Sequence, residues 1–99
     1  MLPVSIRWYQ LRPDEQDALV AEKIMNGSMA PYSKSLEAML RVLERFGEVA
    51  IYQLASRQKG AYRVVIEEQQ AGTATAHMLK DALYIAALRI QGFEVDEEL

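Results

Sequence analysis

The chain has 99 residues, of which 51% are hydrophobic, and its 11 basic and 14 acidic residues give a formal net charge of −3. A chain of this length buries about two-thirds of the surface that its unfolded form exposes, so we expect a single domain with a single core. The absence of cysteine excludes a disulfide framework, thiol catalysis and thiolate metal sites.

Residues 1–12 allow two interpretations. Val4, Ile6 and Trp8 recur at the period of a half-buried strand, and a proline on either side keeps the segment out of any helix interior. The segment is either an edge strand or an ordered arm that Trp8 holds against the body of the domain.

A first helix is predicted over residues 13–25. Pro13 occupies a favoured first position of a helix, and the two acidic residues that follow it interact favourably with the helix dipole. Asn26 and Gly27 then predict the end of the helix, because both tolerate the left-handed conformation that is common there.

A second helix is the clearest element of the sequence. Ser33 is predicted to be its N-cap, after a short connector that contains Pro31, and Gly47 is predicted to end it. The apolar residues have helical spacing and predict a core-facing stripe, so we expect Leu40→Asp to unfold the domain. The stripe consists of Leu36, Met39, Leu40, Leu43 and Phe46.

A β-hairpin follows the second helix. Residues 48–54 and 62–66 are rich in Val, Ile and Tyr, and the segment 56–60 between them has the composition and length of a hairpin loop. Neither face of the two strands is fully polar. This predicts that the hairpin is covered on both sides, by helices or by a second subunit.

A last helix is predicted after a loop at residues 69–72. Thr73 or Thr75 is expected to cap the helix, and Gly92 to end it. Residues 96–99 are predicted to form an acidic, solvated tail. The core-facing stripe of this helix consists of Ala76, Leu79, Leu83, Ala86 and Ile90.

The predicted order is arm, helix, helix, strand, strand, helix. It indicates an α+β fold, a small α/β/α-type sandwich with a short antiparallel sheet. We expect one domain over residues 1–99, with 1–12 as the arm or edge strand, 13–95 as the core and 96–99 as the tail. Two strands alone are marginally stable, so either the arm supplies a third strand or the sheet edge pairs with another subunit. We therefore predict a homo-oligomer.

Several blocks of the sequence occur in the order found in a known family. They are DALVAEKIM at residues 17–25, PYS at residues 31–33, the hairpin, and the alanine-rich segment 82–88. In this order they resemble the phage ABA-sandwich domain family of small bacteriophage proteins, over about residues 14–95. The resemblance implies a sandwich fold and a phage accessory role, and it supplies no catalytic residues. The segment 26–28 departs from the glycine-aromatic step of the family.

One pair of residues is a candidate for catalysis. His77 and Asp81 lie four residues apart on the predicted last helix, with Thr73 nearby as a hydroxyl nucleophile. A solvent-facing or capping histidine explains the same pattern, and we favour that interpretation. A single histidine without cysteine argues against a conventional zinc site, and the sequence has no glycine-rich phosphate loop or paired-carboxylate motif. We predict no enzyme activity, no metal and no cofactor.

Cationic, hydroxyl and aromatic side chains favour a small anionic ligand. Arg57 and Lys59 lie in the predicted hairpin loop, two predicted helix starts offer free backbone N–H groups, and tyrosines can stack on a base. Ordinary solvated loop charges and a Tyr62 in the core are the simpler interpretation. The predicted ligand-binding residues are Tyr32, Ser33, Arg57, Lys59, Arg63, Thr73, Thr75 and His77.

These features favour a non-enzymatic accessory protein. The sharper hypothesis is a counter-defence sponge that binds a host nucleotide second messenger as a homo-oligomer. The alternative is an adaptor or inhibitor that binds a host or phage protein, and a structural component without a ligand also stays open. The acidic balance makes duplex DNA a poor partner, and no apolar run approaches the ~20 residues that span a membrane. Because no signal-peptide pattern is present, we expect the cytoplasm of the bacterial host.

Overall fold

The computed structural model describes residues 5–54 and 61–96, and within them the chain folds into an α+β domain, as predicted. Short 3-10 helices lie at Trp8–Gln10 and Gln70–Gly72. The other elements are β1 (Ser5–Ile6), α1 (Pro13–Lys23), α2 (Leu36–Leu43), β2 (Val49–Leu54), β3 (Ala61–Ile66), β4 (Thr73–Ala76), α3 (Leu79–Ile90) and β5 (Glu94–Val95).

The predicted hairpin is part of a three-stranded antiparallel sheet with the order β2-β3-β4. Val49 pairs with Ile66 and Leu54 with Ala61, so the hairpin register is continuous. The predicted hairpin loop at residues 56–60 lies outside the described residues. The third strand, β4, occupies the segment in which the sequence predicted a helix cap, so it comes neither from the arm nor from another subunit.

Residues 73–76 were misassigned because their side chains are small. Thr73 and Thr75 are half-buried while Ala74 and Ala76 are buried, which is the alternation of a strand in a Thr-Ala-Thr-Ala segment without a large apolar residue. The prediction that either threonine caps the last helix is wrong. That helix, α3, has Met78 as its N-cap.

The N-terminal arm combines both predicted interpretations. Ser5 and Ile6 form a two-residue strand that pairs in parallel with β5, and the Trp8 side chain beyond it is only 1% exposed. The Asp96 backbone N–H donates to the Ile6 carbonyl at 2.9 Å, so Asp96 continues this pairing and is not part of a free tail. Residues 97–99 of the predicted tail lie outside the described residues.

The first helix begins and ends close to the predicted positions. Pro13 is its first residue, and Asn26 and Gly27 have positive φ angles of 53° and 88° just after the helix. In the described parts of the chain, no helix is long and apolar enough to cross a membrane.

The second helix begins two residues later than predicted. The Ser35 hydroxyl accepts a hydrogen bond from the Ala38 N–H at 3.1 Å, so Ser35 is the N-cap and the prediction of Ser33 is wrong. The helix also ends at Leu43, before Gly47, because its last turn passes into tighter turns.

The buried side of α2 differs from the predicted stripe. Leu36 and Leu40 are 68% and 47% exposed, so their assignment to the core is wrong. The residues of α2 that are buried are Ala38, Met39 and Val42.

The core lies between α3 and the inner face of the sheet. Every residue of α3 from Asp81 to Leu88 is buried, and the helix packs on β3 and β4. On β3 the inner face includes Val64 and Ile66, both fully buried. On the outer face Tyr52 and Arg63 are exposed, so this face is more open than the sequence predicted.

Candidate ligand-binding site

The N-terminal ends of α2 and α3 open into one cleft. Its volume is about 570 Å³, and it contains both N-cap residues, Ser35 and Met78. We call it the α2–α3 cleft. The residues that line it are Tyr32, Ser33, Lys34, Ser35, Leu36, Met39, Tyr62, His77, Met78, Leu79 and Lys80.

The polar part of the α2–α3 cleft is basic. Lys34 and His77 are exposed, Lys80 is half-buried, and no described residue that lines the cleft is a carboxylate. Lys80 Nζ donates to the Ser33 carbonyl oxygen at 2.7 Å, which fixes the ammonium group beside the cleft. The partial positive charge of two helix N-termini has the same sign as the two lysine side chains. Together they favour an anionic group.

The remaining part of the cleft is apolar. Met39 and Leu79 form its inner wall, and Leu36 and Met78 are 68% and 54% exposed at its mouth. Exposed apolar side chains beside a cleft are typical of a binding surface. The cleft therefore offers both ammonium groups and apolar surface to one ligand.

A network of hydrogen bonds holds the wall of the cleft in place. The Ser33 N–H donates to Asp17 Oδ1 at 2.6 Å, which ties the segment before α2 to α1. The Tyr32 hydroxyl donates to the Ser28 carbonyl. The Tyr84 hydroxyl donates to the Tyr32 carbonyl at 2.7 Å, and the two rings meet edge to face, 6.4 Å apart. The wall is therefore held in place by hydrogen bonds within the chain.

The surroundings of Tyr84 change the pKa of its hydroxyl group. Burial of the side chain, more than any other cause, raises the pKa of its hydroxyl above the ordinary value, and the charge of Asp17 adds to the effect. Tyr32 and Asp81 contribute in the same direction. Tyr84 is therefore a neutral hydrogen-bond donor at physiological pH.

A second groove, of about 450 Å³, lies between β1 and α1. Glu15 and Glu22 line it together with the basic Arg7. Because its carboxylates oppose an anion, this groove is a poorer candidate for the same kind of ligand.

Three of the predicted ligand-binding residues lie together. Tyr32, Ser33 and His77 all line the α2–α3 cleft. The Tyr32 ring is only 2% exposed, so it forms the wall of the cleft and is not an open stacking surface. Arg57 and Lys59 lie outside the described residues.

The other three predicted residues lie on the opposite side of the sheet. Arg63 faces Thr75 directly across the β3–β4 pair, and Thr73 is on the same outer face. Tyr62, one residue before Arg63, faces the cleft. Alternation along one strand therefore separates Arg63 from the site.

Sequence reasoning missed two basic residues of the cleft, Lys34 and Lys80. Lys34 follows directly after Ser33, a predicted site residue, and its charge was a usable signal. Lys80 could not be placed from the sequence, because the start of α3 was assigned to Thr73 or Thr75 and not to Met78.

The candidate catalytic residues serve other roles. Asp81 Oδ1 accepts a hydrogen bond from Trp8 Nε1 at 2.9 Å in the core. The Thr73 hydroxyl donates to the Gln69 carbonyl at 3.3 Å. His77 precedes α3, so it does not share a helix face with Asp81. Among residues 5–54 and 61–96, no cluster of three or more His, Cys, Asp or Glu side chains could hold a metal ion.

Comparisons of the chain with protein-family models, with curated proteins and with solved structures give no match. The resemblance to the phage ABA-sandwich family therefore stays a prediction. The geometry of the site carries the functional inference alone.

Proposed function

We propose that this chain is a non-enzymatic binding protein that holds a small anionic ligand, of the nucleotide class, in the α2–α3 cleft. The observation that carries the proposal is the composition of the cleft. Its lining combines the basic Lys34 and Lys80, together with His77, with the exposed apolar side chains of Leu36 and Met78.

A nucleotide matches this composition. Its phosphates are suited to ammonium groups and helix N-termini, and its base to an apolar wall with a tyrosine. Pockets for small molecules commonly have volumes of about 300–1,000 Å³, and this cleft, at about 570 Å³, lies in that range.

Sequestration is the activity that such a site supports without catalysis. A wall held in place by hydrogen bonds costs little ordering on binding, which favours tight retention of a ligand. In this proposal the protein lowers the free concentration of a nucleotide signal by stoichiometric binding. The context of a phage counter-defence sponge rests on the family resemblance alone.

Thermal unfolding in the presence of nucleotides tests the proposal. Cyclic mononucleotides, cyclic dinucleotides and ADP-ribose are each added to the full chain. A ligand at about 100 times its Kd stabilises the folded state by about 2.7 kcal/mol, which for a domain of this size raises the Tm by on the order of 10 °C. An unchanged Tm with every member of the panel contradicts the proposal.

Charge reversal on either side of the sheet locates the site. Lys34→Glu removes a cation from the cleft, and we expect it to weaken nucleotide binding about tenfold or more. Arg63→Glu makes the same change on the outer face and is expected to leave the Kd unchanged. Calorimetric titration of both variants measures the difference, and equal losses would place the ligand elsewhere.

A second pair of variants tests the mouth of the cleft. Met78→Glu introduces a negative charge beside the proposed phosphate site and is expected to reduce binding. Met29 is 67% exposed and does not line the cleft, so Met29→Glu is the matched control.

An adaptor that binds a protein is the second candidate, and one observation favours it. Leu36 and Leu40 are exposed one turn apart on α2, which is a surface that a partner's apolar side chains can cover. In this case Leu40→Glu abolishes capture of a specific partner and leaves nucleotide binding intact. Native mass spectrometry of gently purified protein separates the two, because one predicts a bound small molecule and the other a bound protein.

A further inference from the structure

Within residues 5–54 and 61–96, the edge of the three-stranded sheet formed by β2 has none of the usual protecting features. Its sequence, Val-Ala-Ile-Tyr-Gln-Leu, has no charged residue or proline, and its register with β3 has no bulge. Among the described residues, no strand pairs with the other edge of β2. Proteins usually blunt such an edge with lysine, proline or a bulge, because free backbone groups recruit another strand.

The opposite edge of the same sheet shows the contrast. On β4, the Thr73 carbonyl accepts a hydrogen bond from Arg89 Nη1 at 3.0 Å. Arg89 Nη2 also donates to the Val95 carbonyl at 2.6 Å, so one side chain covers the β4 edge and ties it to β5.

The hydrogen-bond pattern identifies which backbone groups of β2 face away from β3. The Glu67 N–H donates to the Glu48 carbonyl at 2.7 Å, and this pair continues the β2–β3 register. Because hydrogen-bonded pairs alternate in an antiparallel ladder, every second residue from Glu48 faces β3. The backbone N–H and C=O groups that face away belong to the residues between them, which are Val49, Ile51 and Gln53.

The same alternation of hydrogen-bonded pairs can be followed from β3 to β4, and there the hydrogen bond from Arg89 to the Thr73 carbonyl supports it. If Val65 faces β2, then Val64 and its partner Ala74 bond to each other, and the Thr73 carbonyl points away from β3. This is the carbonyl to which Arg89 Nη1 donates a hydrogen bond.

We propose that two copies of the chain pair through β2, antiparallel about a two-fold axis at Ile51, into one continuous six-stranded sheet. In this register Ile51 faces Ile51 of the second copy, and Val49 faces Gln53. The outward-facing N–H and C=O groups of these residues then all find partners. The proposal goes beyond the ligand site, because the cleft lies at the helix starts and not at this edge.

Side-chain complementarity favours a second copy as the occupant. On the outer face, the large Tyr52 of each copy lies against the small Ala50 of the other. Ile51 and Tyr52, which are 44% and 52% exposed, lose contact with water. A strand without charge meets no like-charge repulsion from its own copy, despite the net charge of −3.

The molecular mass in solution tests the proposal. Light scattering of the full chain at micromolar concentration is expected to give twice the 11.2 kDa of one chain. Ile51→Lys places two like charges opposite each other and is expected to weaken association roughly a hundredfold. Leu40→Lys changes an equally exposed apolar residue on α2 and is expected to stay dimeric. A monomeric wild type, or a dimeric Ile51→Lys, would overturn the pairing.

A charge swap tests the register itself. With the axis at Ile51, a mixture of Ile51→Lys and Ile51→Glu chains places opposite charges directly opposite each other. We expect the mixture to form a heterodimer while each variant alone is monomeric. Failure of the mixture to associate, with both variants folded by circular dichroism, would refute the register.

A cysteine variant covers the case in which a charge at this position prevents folding. The chain has no cysteine, so Ile51→Cys introduces a single thiol. Its distance to the symmetry mate, about 5.5 Å between Cα atoms, is within the range of a disulfide. Mild oxidation is expected to link Ile51→Cys chains and not Leu40→Cys chains, and equal linking of both would contradict the interface. The dimer proposal and the ligand proposal can fail separately. We expect the monomeric Ile51→Lys chain to bind nucleotide as the wild type does, because Ile51 does not line the cleft.

Discussion

The two large aromatic side chains Trp8 and Tyr84 are fixed in the core by the hydrogen bonds of their polar atoms. The Trp8 and Tyr84 rings pack at a tilt of 58° with centroids 5.9 Å apart, and each donates its hydrogen bond inside the protein, to Asp81 and to the Tyr32 carbonyl. Among the described residues, no buried side-chain polar atom lacks a partner. The sequence predicted that Trp8 anchors the arm. It could not predict Asp81 as the acceptor, because the two are far apart along the chain.

Tyr84 makes stability sensitive to alkaline pH. Its pKa is raised in the folded state, so above the ordinary value of about 10 the unfolded chain loses this proton while the folded chain keeps it. The free energy of unfolding therefore falls as pH rises above that value, by up to about 1.4 kcal/mol per pH unit. Urea unfolding at a series of pH values measures the slope.

Tyr84→Phe is expected to flatten this alkaline slope and to cost about 1 kcal/mol at neutral pH through the lost hydrogen bond. The matched control is Tyr52→Phe in the Ile51→Lys chain, which leaves Tyr52 exposed, and it should keep the slope of Ile51→Lys. An identical slope in Tyr84→Phe and wild type would show that Tyr84 does not carry the effect.

Elements with strong local signals were predicted well, and elements without them were not. Pro13 and the Asn26-Gly27 pair mark α1, and β-branched residues mark β2 and β3. β4 has only threonine and alanine, so the alternation of buried and half-buried side chains could not be recognised from its hydrophobicity. In α2 the helical spacing was correct, but spacing alone cannot tell which apolar side chains find a partner. Leu36 and Leu40 stay 68% and 47% exposed.

Two aspartate substitutions in α2 separate its buried and exposed sides. Val42 is fully buried, so Val42→Asp places an unpaired charge in the core and is expected to cost several kcal/mol. Leu40 is 47% exposed, so Leu40→Asp is expected to cost less than about 1 kcal/mol. Chemical denaturation of both variants measures this. Equal destabilisation by the two substitutions would show that Leu40 is a core residue.

The turn after β3 contains two residues in an unfavourable conformation. Glu67 and Glu68 have positive φ angles of 53° and 56°, and the Gln69 N–H donates to the Ile66 carbonyl at 3.0 Å. This is the pattern of a type I′ turn, in which Asn-Gly is strongly preferred. The double variant Glu67→Asn, Glu68→Gly is expected to stabilise the domain by about 1 kcal/mol.

A double variant with glutamine at both positions removes the same charges but still has residues with a Cβ atom at positive φ angles. It is expected to change the free energy of unfolding much less than the Asn-Gly variant. A gain of equal size in both variants would assign the effect to charge repulsion and not to conformation.

At the scale of the whole molecule, the sequence predicted the fold class but only part of the candidate site. An α+β domain follows from the order of local patterns. The α2–α3 cleft requires residues 32–36 to meet residues 77–80, which no local pattern specifies. Tyr32, Ser33 and His77 were predicted, and Lys34 and Lys80 were not. Arg63 and Thr75 were included because the sequence does not show which face of the sheet holds the cleft.

A nitrogen-15 amide spectrum of the full chain, titrated in turn with cyclic mononucleotides, cyclic dinucleotides and ADP-ribose, tests the assignment of the cleft at once. We predict that at least one of them causes saturable shifts centred on residues 34–36 and 77–80, while Arg63 and Thr75 stay unchanged. Shifts centred on the outer face of the sheet, or none with any nucleotide, would contradict the proposal that this cleft is the ligand site.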